Sequence, residues 1–129
     1  MIYFYKRLKK NNKINLLKKN SQKKGIVLKV KVMTPKKPNS GKRPIVKIIL
    51  SNKKLLISHI PGIGHNLRQY SNTLIRGGGA RDLPTVYYSC IRGVYDLSKV
   101  NNKTKRKSIY GIKTDITSKK KLRRKFRQF

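Results

Sequence analysis

The chain has 129 residues, of which 35 are Lys or Arg and three are Asp, with no Glu, so its formal charge is +32. A compact domain with this charge repels itself in free solution, which indicates a partner of dense negative charge, and nucleic acid is the first candidate. The three acids stand far apart, and His59, His65 and Cys90 lack the paired spacing of zinc sites, so the composition argues against carboxylate catalysis and against a metal centre.

The first 21 residues are a short apolar start followed by a segment rich in Lys and Asn. A secretory signal has its positive charge before the apolar run, and here that order is reversed. Transit peptides of mitochondria are rich in Arg, whereas nearly all basic residues of this segment are Lys, so an imported presequence is only the less supported alternative. We therefore predict that residues 1–21 are a basic extension that becomes ordered against nucleic acid.

The middle of the chain contains five short runs of β-branched and other apolar residues, each bounded by turn-forming residues. In the first run Lys29 and Lys31 alternate with Leu28, Val30 and Val32, a pattern that predicts a strand with one apolar and one cationic face. The five predicted strands are Ile26–Met33, Ile45–Leu50, Leu55–Ile60, Thr73–Ile75 and Thr85–Ile91.

Residues 51–53 separate the second and third runs and predict a hairpin. Five strands in about 70 residues favour an all-β fold, a small closed or nearly closed barrel, because closure removes unpaired sheet edges. A five-stranded OB-fold barrel is a common nucleic-acid-binding solution at this size, and an SH3-like barrel is the alternative.

The first conspicuous loop, residues 34–41, contains two prolines, which fix two φ angles and predict a stiff, extended loop. Its two lysines can meet phosphates, while Asn39 and Ser40 can hydrogen-bond to a base edge, a ribose hydroxyl or the RNA backbone. The alternative interpretation is an ordinary strand connection stabilised by proline.

The second loop, residues 76–84, contains three successive glycines bracketed by Arg76 and Arg81. Glycine permits positive φ and close approach of the backbone to a partner. The alternative is a flexible surface loop in which Asp82 pairs with Arg81 or Arg76. A phosphate-binding Walker loop is excluded because no Gly-Lys-Ser/Thr follows.

Three aromatic residues, Tyr87, Tyr88 and His65, are further candidates for RNA contact. Tyr87 and Tyr88 fall in the fifth predicted strand, so we expect one of them in the core and the other at the surface, where a ring can stack on a base. His65 lies in a glycine-rich connection, where a role in the turn is favoured over stacking on RNA.

Seven short blocks carry a resemblance through their order and spacing over residues 22–113. They are Gln22–Gly25, Thr34–Ser40, Gly64–Leu67, Leu74–Gly78, Asp82–Pro84, Ile91–Gly93 and Ser108–Gly111. In these blocks the chain resembles the small-subunit ribosomal protein S-twelve family. The resemblance implies an OB-fold core over residues 22–113, with loops 34–41 and 76–84 at the decoding centre, a basic extension over residues 1–21 and a basic tail over residues 114–129.

The same resemblance implies a function in translational accuracy. Correct codon–anticodon pairing stabilises a closed small subunit, and protein contacts to RNA set the cost of closure. In the family, changes in these loops alter accuracy and sensitivity to streptomycin-type aminoglycosides, and the residue at Asp82 is methylthiolated in bacterial relatives. This chain departs from those relatives at Gly41, Gly79 and Arg81, where they usually have Ala, Arg and Lys. The implied rRNA and decoding-centre residues are Lys36, Lys37, Pro38, Asn39, Ser40, Arg76, Arg81, Asp82, Leu83 and Pro84.

The expected partners are small-subunit ribosomal RNA, neighbouring ribosomal proteins and the mRNA–tRNA decoding region. No membrane, small-molecule substrate, cofactor or catalytic activity is expected, and the alternative function is that of a free single-strand RNA chaperone. With 25 Lys against 10 Arg, 14 Ile and 10 Asn, the composition fits an AT-rich coding sequence. A mitochondrial ribosome is therefore the first expectation, with a plastid or the cytoplasm of an AT-rich bacterium as alternatives.

Overall fold

The computed structural model describes residues 16–18 and 20–113, so the predicted tail over residues 114–129 and most of the predicted extension lie outside the described residues. All five predicted strands are present, although their ends differ. The first begins four residues earlier than predicted, and the fifth is shortened to three residues. The strands are β1 (Gln22–Met33), β2 (Arg43–Leu50), β3 (Leu55–His59), β4 (Asn72–Gly77) and β5 (Tyr88–Cys90).

The strands close into a barrel in the order β1-β2-β3-β5-β4, with β4 also paired to β1. Every pairing is antiparallel except that of β3 with β5. Within the described residues each of the five strands pairs with two neighbours, which is the condition for a closed sheet. The predicted all-β fold, a small five-stranded OB-type barrel, is confirmed. Within the described residues no helix is both long and apolar enough to span a bilayer.

The barrel interior is filled by alternate residues of the strands. On β2, Val46, Ile48 and Leu50 point inward and are at most 3% exposed. Ile75 of β4 and Leu97, from the segment after β5, are fully buried in the same core. Because Leu97 lies outside the strands, the connection after β5 helps to seal the barrel.

The alternation predicted for β1 holds from Leu28 to Lys31, where the two lysines are exposed and the two apolar residues are partly buried, but it does not extend back through a β-bulge at Leu28. Val27 pairs with Ile48, and Lys29 pairs with Lys47, the neighbour of Ile48 on β2. Leu28 is therefore an extra residue without a partner on β2. The bulge shifts the inward phase by one residue. Val27, before the bulge, is therefore fully buried, and Lys29, after it, is exposed as predicted. Val32 keeps the inward phase of Val30 but is 63% exposed, one residue before the end of the strand.

The predicted hairpin between β2 and β3 is confirmed. The N–H of Lys53 donates to the carbonyl of Leu50 at 2.9 Å, and the N–H of Leu50 donates to the carbonyl of Lys54 at 2.9 Å. Lys53 has a φ of 61°, which reverses the chain between the two strands. This hairpin marks the end of the barrel opposite to the β1–β2 connection.

The expectation for the tyrosine pair is also confirmed. Tyr88 is 5% exposed and belongs to the core, while Tyr87 is 51% exposed. The Tyr88 hydroxyl accepts a hydrogen bond from the N–H of Leu16 at 3.0 Å, so it satisfies its polar atom while anchoring the chain before β1.

Arg92 is a buried cation that joins the β3–β4 connection to the segment after β5. Its guanidinium donates to the carbonyls of Pro61 at 2.7 Å, Ser98 at 3.2 Å and Gly64. Burial lowers the pKa of Arg92, yet a guanidinium keeps its proton in proteins, so the three carbonyls act as its counter-dipoles. His65, beside Gly64, is exposed in this connection.

Candidate nucleic-acid interface

Two connections lie at the end of the barrel where β1 passes into β2. We call residues 34–42 the L12 loop, since they join β1 to β2, and residues 78–87 the L45 loop, since they join β4 to β5. The loop predicted over residues 76–84 is thus shifted, because Arg76 and Gly77 belong to β4. In OB-type barrels the loops at these two positions, with the face of the second and third strands, bind oligonucleotides.

Asp82 joins the two loops. Its backbone carbonyl accepts a hydrogen bond from the N–H of Lys36 in the L12 loop at 2.9 Å. Its carboxylate oxygen Oδ2 accepts a hydrogen bond from Nε of Arg43, the first residue of β2, at 3.1 Å. Pairing of Asp82 with Arg81 or Arg76, the alternative considered from the sequence, is therefore wrong. We call the contacts of Asp82 with Lys36 and Arg43 the loop link.

The L12 loop turns sharply and is not extended, contrary to the expectation from its two prolines. The N–H of Asn39 donates to the carbonyl of Lys36 at 3.1 Å and closes a four-residue turn, in which the Lys37–Pro38 peptide is cis. The turn presents the side chains of Lys36, Lys37, Asn39 and Ser40 to solvent. Four of the predicted RNA-contacting residues are thus brought together on one exposed turn.

The glycines of the L45 loop serve a contact within the chain. A Cβ atom at Gly79 would lie 1.9 Å from the carbonyl oxygen of Val86, so no side chain fits there. Gly78 has a φ of 86°, in the region that favours glycine, and its carbonyl accepts a hydrogen bond from the Ser89 hydroxyl at 2.6 Å. The backbone at Gly79 thus approaches another part of the chain closely, and that part is the second half of the same loop, at Val86.

Leu83 fixes the L45 loop to the outer face of the sheet. It is 5% exposed and packs with Val86 and with Ile45 of β2, and Met33 and Ile57 border this small cluster. The resemblance implied that Leu83 belongs to the decoding-centre surface, and the structure instead buries its side chain. Leu83 therefore anchors the L45 loop, and its place at the decoding-centre surface stays a prediction.

A shallow groove of about 490 Å³ lies along the L45 loop, and Lys36 of the L12 loop borders it. Cationic Lys36 and Arg81 line it together with Pro84, Thr85 and the exposed ring of Tyr87. Lysine and arginine suit phosphate oxygens, and a tyrosine ring offers a stacking surface for a base. Arg76, on β4, does not line this groove, and its guanidinium donates to the carbonyl of Gly77 at 3.4 Å.

Thr85 is a groove residue that sequence reasoning missed. Its φ is 62°, which is unusual for a β-branched residue, and its hydroxyl donates to the carbonyl of Pro84 at 2.6 Å. A threonine in an apparent strand carries no signal for positive φ, so the sequence placed it at the start of the fifth strand. The structure places it at the rim of the groove.

The titratable groups near the interface favour binding over catalysis. Burial raises the pKa of the Cys90 thiol to about 11, so it stays protonated and is a poor nucleophile. Burial lowers the pKa of His59, whose Nδ1 has no hydrogen-bond partner among the described residues. Across residues 16–18 and 20–113, no three His, Cys, Asp or Glu side chains come together as a metal site.

A basic five-stranded barrel with two cationic loops joined at one end belongs to the class of OB-type nucleic-acid-binding proteins. Comparison with known proteins narrows this class. The family model described as Ribosomal protein S12/S23 matches residues 10–124. The small ribosomal subunit protein uS12m of Paramecium tetraurelia is 55% identical over 122 residues, which are 95% of this chain and 88% of that protein.

The chain belongs to the ribosomal protein S12/S23 family. It is a ribosomal protein of the small subunit and not an enzyme, as the resemblance implied. The mitochondrial relative also bears out the expected location, the mitochondrion.

Proposed function

We propose that the chain binds small-subunit ribosomal RNA at the decoding centre and contributes to tRNA selection. The supporting observation is the loop link, which holds two cationic loops in one fixed arrangement. We call the exposed side chains of Lys36, Lys37, Arg81 and Tyr87 the two-loop surface. Family membership supports ribosomal RNA and neighbouring ribosomal proteins as its partners, and the mRNA–tRNA region is the finer proposal.

A fixed surface can bias a conformational equilibrium more strongly than a mobile one. A protein shifts the equilibrium between open and closed subunits by the difference in its contact energy with the two states. One hydrogen bond to a charged group contributes about 1.5–3 kcal/mol, and about 1.4 kcal/mol is a tenfold change in equilibrium. Loss of one lysine–phosphate contact made in a single state therefore shifts closure by about tenfold or more.

The loop link has a separate role in this proposal. Asp82 presents a carboxylate near RNA phosphates, where an unpaired acid would repel them. Its pairing with Arg43 at 3.1 Å neutralises that charge, and its backbone carbonyl positions Lys36. Modification of Asp82 by methylthiolation stays a prediction, which intact-mass measurement of the ribosomal chain tests.

The test compares ribosomes that carry Lys36→Gln or Arg81→Gln with ribosomes that carry Lys54→Gln. Lys54 is an exposed lysine at the hairpin on the opposite end of the barrel, so it serves as a matched control for loss of one charge. We expect the loop variants to change near-cognate misreading several-fold and Lys54→Gln to leave it unchanged. Unaltered misreading in both loop variants, with the variant chains present in small subunits, would overturn the proposal.

A further inference from the structure

The outer face of β1 and β2 carries two lysines directly opposite each other. Lys29 and Lys47 are register partners, and both are exposed. Lys31 is the next outward residue of β1 and lies diagonal to Lys47. Directly opposite Cβ atoms in an antiparallel pair are about 5 Å apart, and diagonal ones about 7–8 Å, so the three ammonium groups can converge on one site.

Like charges placed directly opposite each other destabilise a sheet. The acids among the described residues do not relieve this repulsion. The Asp82 carboxylate accepts from Arg43, and Oδ2 of Asp96 accepts from the backbone N–H of Asn72 at 2.6 Å. The pairing of Lys29 with Lys47 is therefore uncompensated within the part of the chain that the structure describes.

Apolar side chains border the lysines. Ile26 and Leu55 flank Ile49 in the neighbouring cross-strand row, and they are 41% and 50% exposed. Leu83 of the L45 loop covers this face at Ile45, two residues before Lys47 on β2. The three lysines therefore lie beside the two-loop surface but outside it. A face that combines ammonium groups with apolar side chains suits RNA, whose phosphates are anionic and whose bases and ribose C–H groups offer apolar surface.

We propose that Lys29, Lys31 and Lys47 bind the phosphate backbone of small-subunit ribosomal RNA as a second contact, distinct from the two-loop surface. The proposal rests on ribosomal RNA as the partner, which it shares with the proposed function. The bound phosphates supply the missing counter-charge, so the lysine pair destabilises the free chain and stabilises the complex.

The test uses the full chain and the complete small-subunit rRNA transcript of its own ribosome, with Lys29→Gln/Lys47→Gln and the charge-keeping Lys29→Arg/Lys47→Arg. Each lost phosphate contact lowers the slope of log K against log salt by about 0.7–0.9. We expect the Gln pair to lower the slope by about 1.4–1.8, twice the value for one contact, and the Arg pair to keep it. Thermal unfolding of the free Gln variant should occur at the same or a higher temperature than that of the parent chain.

Two results would overturn the proposal. One is an unchanged salt slope in the Gln pair. The other is an unchanged RNA affinity together with loss of a neighbouring ribosomal protein from the subunit, which would assign the face to a protein partner. Misreading separates this proposal from the proposed function. If loop variants leave misreading unaltered while the Gln pair lowers the salt slope, the accuracy role fails and the second RNA contact stands.

Discussion

Replacing Gly79 by alanine places a methyl group where the backbone of Val86 already lies. The new Cβ atom would be 1.9 Å from the Val86 carbonyl oxygen and 2.7 Å from its carbonyl carbon. Real Cβ atoms keep at least 3.0 Å from such atoms, so the two strands of the L45 loop must separate by about 1.1 Å, from 1.9 to 3.0 Å. Neither neighbour is the flexible end of a side chain, so the backbone itself has to move.

This separation acts on the small cluster that anchors the loop. Leu83 and Val86 are 5% and 3% exposed, and both are displaced if the loop opens. Overpacking of this kind costs about 1–3 kcal/mol. For a domain of this size each kcal/mol lowers the melting temperature by about 4–8 °C, so Gly79→Ala should lower it by about 10 °C.

Gly77→Ala is the matched control, since nothing lies within 4 Å of a Cβ atom at Gly77. Its effect should stay within about 0.5 kcal/mol. The measurement is thermal unfolding of the full chain followed by circular dichroism, in about 0.5 M salt to screen the charges. Melting temperatures of Gly79→Ala and Gly77→Ala that agree within about 2 °C would refute the steric argument.

Two further predictions concern the rim and the underside of the same interface. Thr85→Gly should raise the free energy of unfolding by about 1 kcal/mol, because a β-branched residue at a φ of 62° is strained and glycine is not; a urea midpoint that falls would contradict this. Burial lowers the pKa of His59 below its usual 6.5, so the folded chain binds the proton less readily than the unfolded chain, and stability should fall as pH drops from about 7 to 5. Asp82 opposes this lowering of the pKa and Arg43 adds to it. Denaturant titrations at both pH values should show that His59→Gln flattens the change of stability with pH, while the control variant His65→Gln keeps it. The same change of stability with pH in the parent chain and in His59→Gln would contradict the prediction.

The strands were predictable because each depends on local composition. The β-branched runs and the turn residues 51–53 specify β2, β3 and their hairpin from neighbours in sequence. The bulge at Leu28 was not predictable, since one extra residue on β1 is defined by its partner β2, about 20 residues away. That single residue turns Val27 into the core, although Lys29, two residues later, faces solvent.

The candidate site shows the same division. Prolines, glycines and cations identified the two loops, because these residue types constrain or charge the chain wherever they occur. The loop link between Arg43 and Asp82 joins residues 39 apart in sequence, and nothing local to Asp82 distinguishes Arg43 from the nearer Arg81 and Arg76. Partner choice depended on closure of the barrel, which brings the start of β2 beside the L45 loop.

The excess of positive charge therefore acts in different ways at different places in this barrel. Arg92 and Arg43 are satisfied within the chain, by backbone carbonyls and by Asp82, and they fix connections. Lys29 and Lys47 have no such partner among the described residues and repel each other across the β1–β2 pair. Removing a cation that is hydrogen-bonded within the chain lowers the stability of the fold. Neutralising a pair of opposed lysines instead stabilises the free chain and weakens its binding to RNA. Measuring unfolding and RNA affinity on the same variants thus separates the cations that build this protein from those that bind its partner.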